Sequence, residues 1–289
     1  MEQIDLRELN ELIKRALKED LGKGDITSEA VLPHWKRARA KIIAKEDGVL
    51  AGLFVAELIF KTINKKTIFT RKKHEGEEIK KGTVLAEVEG LASDILAAER
   101  TALNFLQRLS GIATLTHAFV KKASGLPVQI KDTRKTTPTL RQLEKYAVRV
   151  AGGTNHREGL FDEVLIKDNH IKAARGIEKV VKLAREKIPA DKKIEVEADS
   201  VANVAKAIKV KANIIMLDNM SMRKLKRSVG LVKKHNQQNL RPEAYIETEV
   251  SGGVNLDNVR EIAELGVDSI SVGALTHSAK ALDISLKFV

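Results

Sequence analysis

Charged and glycine residues recur at one kind of place in this chain: at the ends of short apolar runs. Lys131-Asp132-Thr133-Arg134-Lys135 follows the first such run of the second half, and Lys167-Asp168-Asn169-His170 follows the next. Glu195 and Glu197 alternate within a third, Asp218-Asn219 closes a fourth, and Glu247 and Glu249 belong to a fifth that ends in Ser251-Gly252-Gly253. Val272-Gly273-Ala274 closes a sixth. A solvated loop explains any one of these, but not charge at the same end of nearly every run. If the runs are parallel strands, residues far apart in sequence converge at one mouth. The chemistry suggested is the binding of small anions. Both glycine segments can present backbone N–H groups to a phosphate beside a helix N-terminus, with turn-forming glycine the plainer reading for either alone.

The elements that must position these residues follow from periodicity. Candidate strands are Val128–Asp132, Val164–Asp168, Lys193–Glu197, Ile214–Asp218, Tyr245–Val250 and Ser269–Val272, with helical patterns between them at 139–150, 174–187, 201–209, 221–235 and 255–265. Apolar strands alternating with helices predict a parallel sheet, open or closed into a barrel. The first half reads differently. A helix over 5–19 leads through the turn-rich segment Gly24–Ser28 to short strands at 38–44, 49–53, 67–71 and 83–88, with a helix at 54–63. A long helical pattern from Ser93 to Ser124 then carries Arg100, Asn104 and Arg108 as a polar stripe four residues apart, with a break or bend expected at Ser110-Gly111.

Composition removes other classes. The 289 residues carry a net charge of +12 but only 3% aromatics, too few for base-stacking platforms, so no nucleic-acid partner is expected. Cysteine is absent, which excludes disulfides, thiolate catalysis and Cys-ligated zinc. No apolar run reaches membrane-spanning length, and Met1–Asp5 is not followed by a secretory pattern, so the expectation is a cytoplasmic protein with no membrane partner. GxxxxGK[ST], GxSxG and HExxH are all missing, which removes support for P-loop, serine-hydrolase and zinc-hydrolase chemistry.

Taken together, ordered segments along nearly the whole chain resemble the quinolinate phosphoribosyltransferase family. They include Glu19–Thr27, Glu99–Gln107, Asp132–Pro138, Gly152–Arg157, Leu165–Ile171, Glu195–Glu197, Met216–Asn219, Ser251–Gly253 and Ser271–Gly273. The resemblance implies an α/β chain: an N-terminal α/β sandwich domain over 1–110, then an open, TIM-barrel-like α/β barrel of seven strands over 111–289, with the last residues packing back on the first domain. Periodicity finds six of those strands. It also implies transfer of phosphoribose from phosphoribosyl pyrophosphate to quinolinate, with loss of pyrophosphate and CO2, in NAD biosynthesis. Arg134, Lys135, His156, Arg157, Lys167 and Thr133 would then hold quinolinate, with Arg100 supplied by a neighbouring subunit of a homodimer or dimer-based hexamer. Lys167, Glu197, Asp218, Ser251, Gly252, Gly253, Val272, Gly273 and Ala274 would hold phosphoribosyl pyrophosphate. The catalytic set implied is Lys135, Lys167, Glu197 and Asp218. Mg²⁺ would be held mainly through the substrate, with Glu197 and Asp218 as protein partners.

Plainer readings stand beside these. Arg100 alone reads as an exposed helix residue, His156 as a structural loop histidine, and one of Glu195 and Glu197 as an ion-pair partner, with Glu197 preferred for substrate. A related molybdenum-transport-associated paralogue with another acceptor is the first alternative function, and a basic RNA-binding protein the second.

Overall fold

The computed structural model describes residues 4–189 and 191–289, which divide into two compact units. The first comprises the chain up to His117 together with Thr136–Gly152 and Leu275–Val289; the second comprises Ala118–Lys135 and Gly153–Ala274.

The first unit begins with α1 (Leu6–Leu21), capped by the Asp5 carboxylate and burying Leu9, Ile13 and Leu17 at four-residue spacing. The segment read from sequence as turn-rich holds a second capped helix, α2 (Ile26–Val31), whose N-terminal amides bond to Asp25. The strands are β1 (Arg37–Ala44), β2 (Gly48–Val49), β3 (Ile68–Arg71), β4 (Glu78–Ile79) and β5 (Val84–Leu91). An antiparallel sheet forms in the order β12-β1-β5-β3, its outer strand being the chain's last, Ile284–Phe288. Helix α3 (Leu53–Ile63) is apolar nearly all round and correspondingly buried. Its first amides are satisfied by Glu75, which accepts Gly52 N–H at 2.7 Å and Phe54 N–H at 3.1 Å.

Helix α4 (Ala92–Lys122) runs 31 residues without the break expected at Ser110-Gly111. Those two residues serve close packing instead. A Cβ on Gly111 would lie 2.0 Å from the Lys280 carbonyl oxygen, and the Ser110 hydroxyl bonds to both the amide and the carbonyl of Ala51. Helix α5 (Arg141–Val150) completes this unit's main helices.

The second unit holds six parallel strands: β6 (Gln129–Lys131), β7 (Val164–Ile166), β8 (Ile194–Ala198), β9 (Ile214–Asp218), β10 (Glu247–Ser251) and β11 (Ser269–Ser271). Their order is β6-β11-β10-β9-β8-β7. The first strand pairs with the last in sequence, Ile130 opposite Ile270, which is the closing contact of an α/β barrel. The seventh strand is reduced to a single parallel bridge, Thr154 with Lys131. Its sequence, Gly152-Gly153-Thr154-Asn155-His156, has no apolar alternation to announce a strand. Thr154 is not paired with β7, so the barrel is open there. Among the described residues no helix is long and apolar enough to cross a membrane.

Candidate active site

Parallel strands bring all their carboxyl ends to one mouth, and the segments that follow them carry the cations. After β6, Thr133 Oγ1 accepts the Lys135 amide at 3.1 Å, fixing the turn that bears Arg134. Asp132, wholly buried, accepts the His156 amide at 2.9 Å and a short bond from the Asn155 side-chain amide. One carboxylate thereby sets the His156-Arg157 segment against the Thr133–Lys135 segment. Arg157 is only 6% exposed and donates to the Glu163 carbonyl at 3.3 Å. Burial, and then the neighbouring Arg134 guanidinium, weaken its hold on its proton. Two crowded guanidiniums are relieved by an anion between them, and their planar forks suit carboxylates.

Carboxylates crowd together elsewhere at the mouth. Glu197, next to the last residue of β8, is half-buried, and burial and Asp218 push it up to about 6. Asp218 ends β9 and accepts from the Asn219 side chain at 2.8 Å. Lys167, which precedes α6 (Asp168–Ala174), lies near enough to favour the ionised form of Glu197, while its amide donates to His170 Nδ1 at 3.0 Å. Neighbouring carboxylate oxygens are the donor set a hard divalent cation requires, so Glu197 and Asp218 fit Mg²⁺.

The two glycine turns differ. Gly252 has φ +86°, and a Cβ there would lie 2.3 Å from Asn219 Oδ1 and 2.9 Å from its backbone nitrogen. Only glycine lets this turn lie against Asp218-Asn219, and Asn219 N–H donates to the Ser251 carbonyl at 2.9 Å. Gly253 has φ +66° with open space beside it. Val272, buried at the end of β11, donates its amide to the Lys131 carbonyl at 2.9 Å, and the half-buried Gly273 and Ala274 follow.

Beneath the mouth lies a polar cluster whose members the sequence does not single out together. Lys131 Nζ meets Glu249 Oε2 at 3.0 Å, and Glu249 also accepts from Ser269 at 3.1 Å and Ser271 at 2.6 Å. His156 Nε2 lies 3.3 Å from both Glu195 and Glu249. Burial opposes charge on the histidine, yet its bonds to these carboxylates raise its pKa to about 10. Nδ1 accepts the Arg157 amide at 2.7 Å, so the ring's first proton sits on Nε2 and a second must displace that amide. Burial also opposes ionisation of Glu249, but His156 and Lys131 hold it down to about 2, whereas burial and Glu249 raise Glu195. Ligand atoms of His156, Glu195 and Glu249 lie within 4.8 Å of one another, close enough for one cation. Of the two alternating glutamates, Glu195 is therefore the ion-pair partner and Glu197 faces the other carboxylate.

Lys131, Asp132 and Glu249 were absent from the expected site residues. The available signal was an ionisable residue within an apolar or β-branched stretch, as in Thr248-Glu249-Val250, which burial makes costly unless paired. Arg100 belongs to the other unit. It is exposed on α4 and makes no hydrogen bond or ion pair among the described residues.

Comparison with known proteins agrees along the whole chain. Residues 25–110 match the quinolinate phosphoribosyl transferase N-terminal domain and residues 112–287 its C-terminal domain. A probable nicotinate-nucleotide pyrophosphorylase [carboxylating] of Bacillus subtilis is 40% identical over 279 residues, covering 96% of this chain and 93% of the relative. Quinolinate phosphoribosyltransferase [decarboxylating] 1b of Nicotiana tabacum is 42% identical over 97% of this chain and 82% of its own. The crystal structure of NadC from Streptococcus pyogenes superposes with a TM-score of 0.90 at 37% identity, covering 99% of both chains.

Proposed function

The chain belongs to the quinolinate phosphoribosyltransferase family, and from that premise we propose that it transfers phosphoribose from phosphoribosyl pyrophosphate to the ring nitrogen of quinolinate, giving nicotinate mononucleotide, pyrophosphate and CO2. The observation that carries this reading is the sorting of charge at the barrel mouth. Arg134 and Arg157 crowd together on one side, and Glu197 and Asp218 on the other. A diacid satisfies the first pair, and ribose hydroxyls with a divalent cation satisfy the second.

Arg134 and Arg157 grip the two carboxylates, with Lys135, Lys167 and Thr133 completing the anion site, while His156, its ring nitrogens turned to the Arg157 amide and to Glu195 and Glu249, supports Arg157 from beneath. Glu197 and Asp218 accept the ribose hydroxyls, and their negative charge stabilises the oxocarbenium-like C1 formed as pyrophosphate leaves. They would also hold Mg²⁺, which when bound neutralises the pyrophosphate leaving group. The alternative metal group fits less well: His156 Nε2 carries a proton and Glu249 is already neutralised by Lys131. Backbone amides of Ser251–Gly253 and of Gly273-Ala274 receive phosphate, while Val272, whose amide is held by the Lys131 carbonyl, anchors the second turn. After nitrogen attacks C1 the ring is cationic, and that charge stabilises the carbanion left when the adjacent carboxylate departs as CO2, after which the carbon takes a proton from water. No enzyme nucleophile is needed.

Exposed Arg100, without a hydrogen-bond or ion-pair partner among the described residues, supports a site completed by a neighbouring subunit, and hence a homodimer as the smallest active assembly. The test of function is direct. Protein incubated with quinolinate, phosphoribosyl pyrophosphate and Mg²⁺ should form nicotinate mononucleotide, and absence of that product from folded protein would refute the reading.

A further inference from the structure

Arg108 and Glu144 take no part in the site described, yet they form one of the most heavily bonded polar centres of the first unit. Glu144 is wholly buried on α5. It accepts Arg108 Nη2 at 2.8 Å and Nε at 3.2 Å, the Thr137 hydroxyl at 2.7 Å and the Thr137 amide at 3.0 Å. The same Arg108 guanidinium donates to the carbonyl of Ala279 at 3.1 Å and, in a short bond, to that of Thr276. One ion pair therefore grips two separate stretches of chain.

Those stretches are not arbitrary. The chain leaves the barrel unit at Lys135 and again at Ala274. Thr137 is two residues beyond the first exit and Thr276 two beyond the second. Immediately before the first exit stand Arg134 and Lys135; immediately before the second stand Gly273 and Ala274. A second observation points the same way. Thr139, β-branched, is held at φ +69°, a conformation such residues rarely adopt without surrounding contacts to enforce it. The contacts that hold this loop include those of Glu144 with Thr137, Leu140 N–H donating to the Thr137 carbonyl at 3.1 Å, and Arg141 Nε donating to the Thr136 hydroxyl at 3.0 Å.

We propose that Arg108 and Glu144 are positioning residues for the transfer reaction, fixing at once the segment that grips the diacid and the segment that receives phosphate. The inference rests on the phosphoribosyl-transfer reading of the barrel mouth. Arginine is required at 108 because its planar fork reaches a carboxylate and two carbonyls together, which an ammonium does not.

The test uses Arg108→Lys, which keeps the charge, and Thr137→Val, which removes only one exposed residue's hydroxyl. Each is measured for KM with both substrates, for kcat, for melting temperature, and for amide hydrogen exchange over residues 133–139 and 274–279. Arg108→Lys should raise both KM values about tenfold, as expected for losing one charge-assisted bonding centre, with a smaller change in kcat. Exchange should quicken in both segments of Arg108→Lys but only in 133–139 of Thr137→Val, whose melting temperature should stay near that of the parent. Glu144→Gln, which keeps an acceptor for the Thr137 amide, should bind substrates better than Glu144→Ala. Unchanged KM in both Arg108→Lys and Thr137→Val, or unchanged exchange in both segments, overturns the proposal. If the parent protein itself makes no nucleotide, the functional reading fails, and the exchange pattern alone then decides whether the clamp exists.

Discussion

Removing the Glu249 carboxylate should expose how the barrel interior is held together. Lys131 Nζ lies 3.0 Å from Glu249, with the two side chains 15% and 0% exposed. At an effective dielectric of about 20, unit charges at that distance attract by about 5.5 kcal/mol. Glu249→Gln keeps the shape but strands the lysine, and breaking a buried pair from one side costs about 3–5 kcal/mol. With roughly 2–4 °C per kcal/mol for chains of this size, the melting temperature should fall by about 6–20 °C. Lys131→Met should cost a similar amount. The double variant buries neither charge, so its loss should be well below the sum of the two. Thermal unfolding of the parent, both single variants and the double variant completes the cycle. Additive losses, or a single-variant change within about 1 °C, would refute the claim that this pair is a buried, mutually dependent unit.

Acid should switch off the reaction through Glu197. Burial and Asp218 raise its carboxyl to about 6, so kcat/KM should fall as pH drops through about 6, and Asp218→Asn should move that limb to lower pH; a limb unmoved by Asp218→Asn would exclude the pairing. The sign for stability is opposite. A carboxyl raised above its ordinary value of 4.5 stabilises the folded chain at low pH, and that contribution is lost as pH rises toward about 6. Gly252→Ala places a Cβ against the Asn219 backbone, so it should weaken both phosphoribosyl pyrophosphate binding and thermal stability more than Gly253→Ala, where space is open; equal effects would contradict this assignment. Mixing Arg100→Ala with Lys167→Ala subunits, each nearly inactive alone, should restore activity by forming one intact site per mixed dimer. Demonstrated exchange without recovery would place Arg100 in its own subunit's chemistry or in none.

What the sequence made legible was what periodicity and strand-end composition carry. The six strands of the barrel stand out because each is an apolar run followed by charge or glycine, and that pattern also draws Arg134, Lys167, Glu197 and Asp218 to one end, whereas Arg157 is legible only through the family resemblance. The seventh strand stayed hidden because one bridge at Thr154 needs no apolar alternation. Gly111 misled because glycine in a helix has two uses, a bend or a close approach, and only the Lys280 carbonyl against it distinguishes them. Lys131 and Glu249 went unassigned because each looks like a strand-end charge, and only the strand order shows that they face each other inside the barrel. Arg108 and Arg100 look alike on their stripe, yet one is locked to Glu144 and the other is exposed.

The product stoichiometry measures the central claim most directly. With quinolinate, phosphoribosyl pyrophosphate and Mg²⁺, each nicotinate mononucleotide formed should be accompanied by one pyrophosphate and one CO2, and nicotinate offered in place of quinolinate should react poorly because the paired guanidiniums lack a second carboxylate. Nucleotide formed without CO2, or nicotinate accepted as readily as quinolinate, would contradict the account.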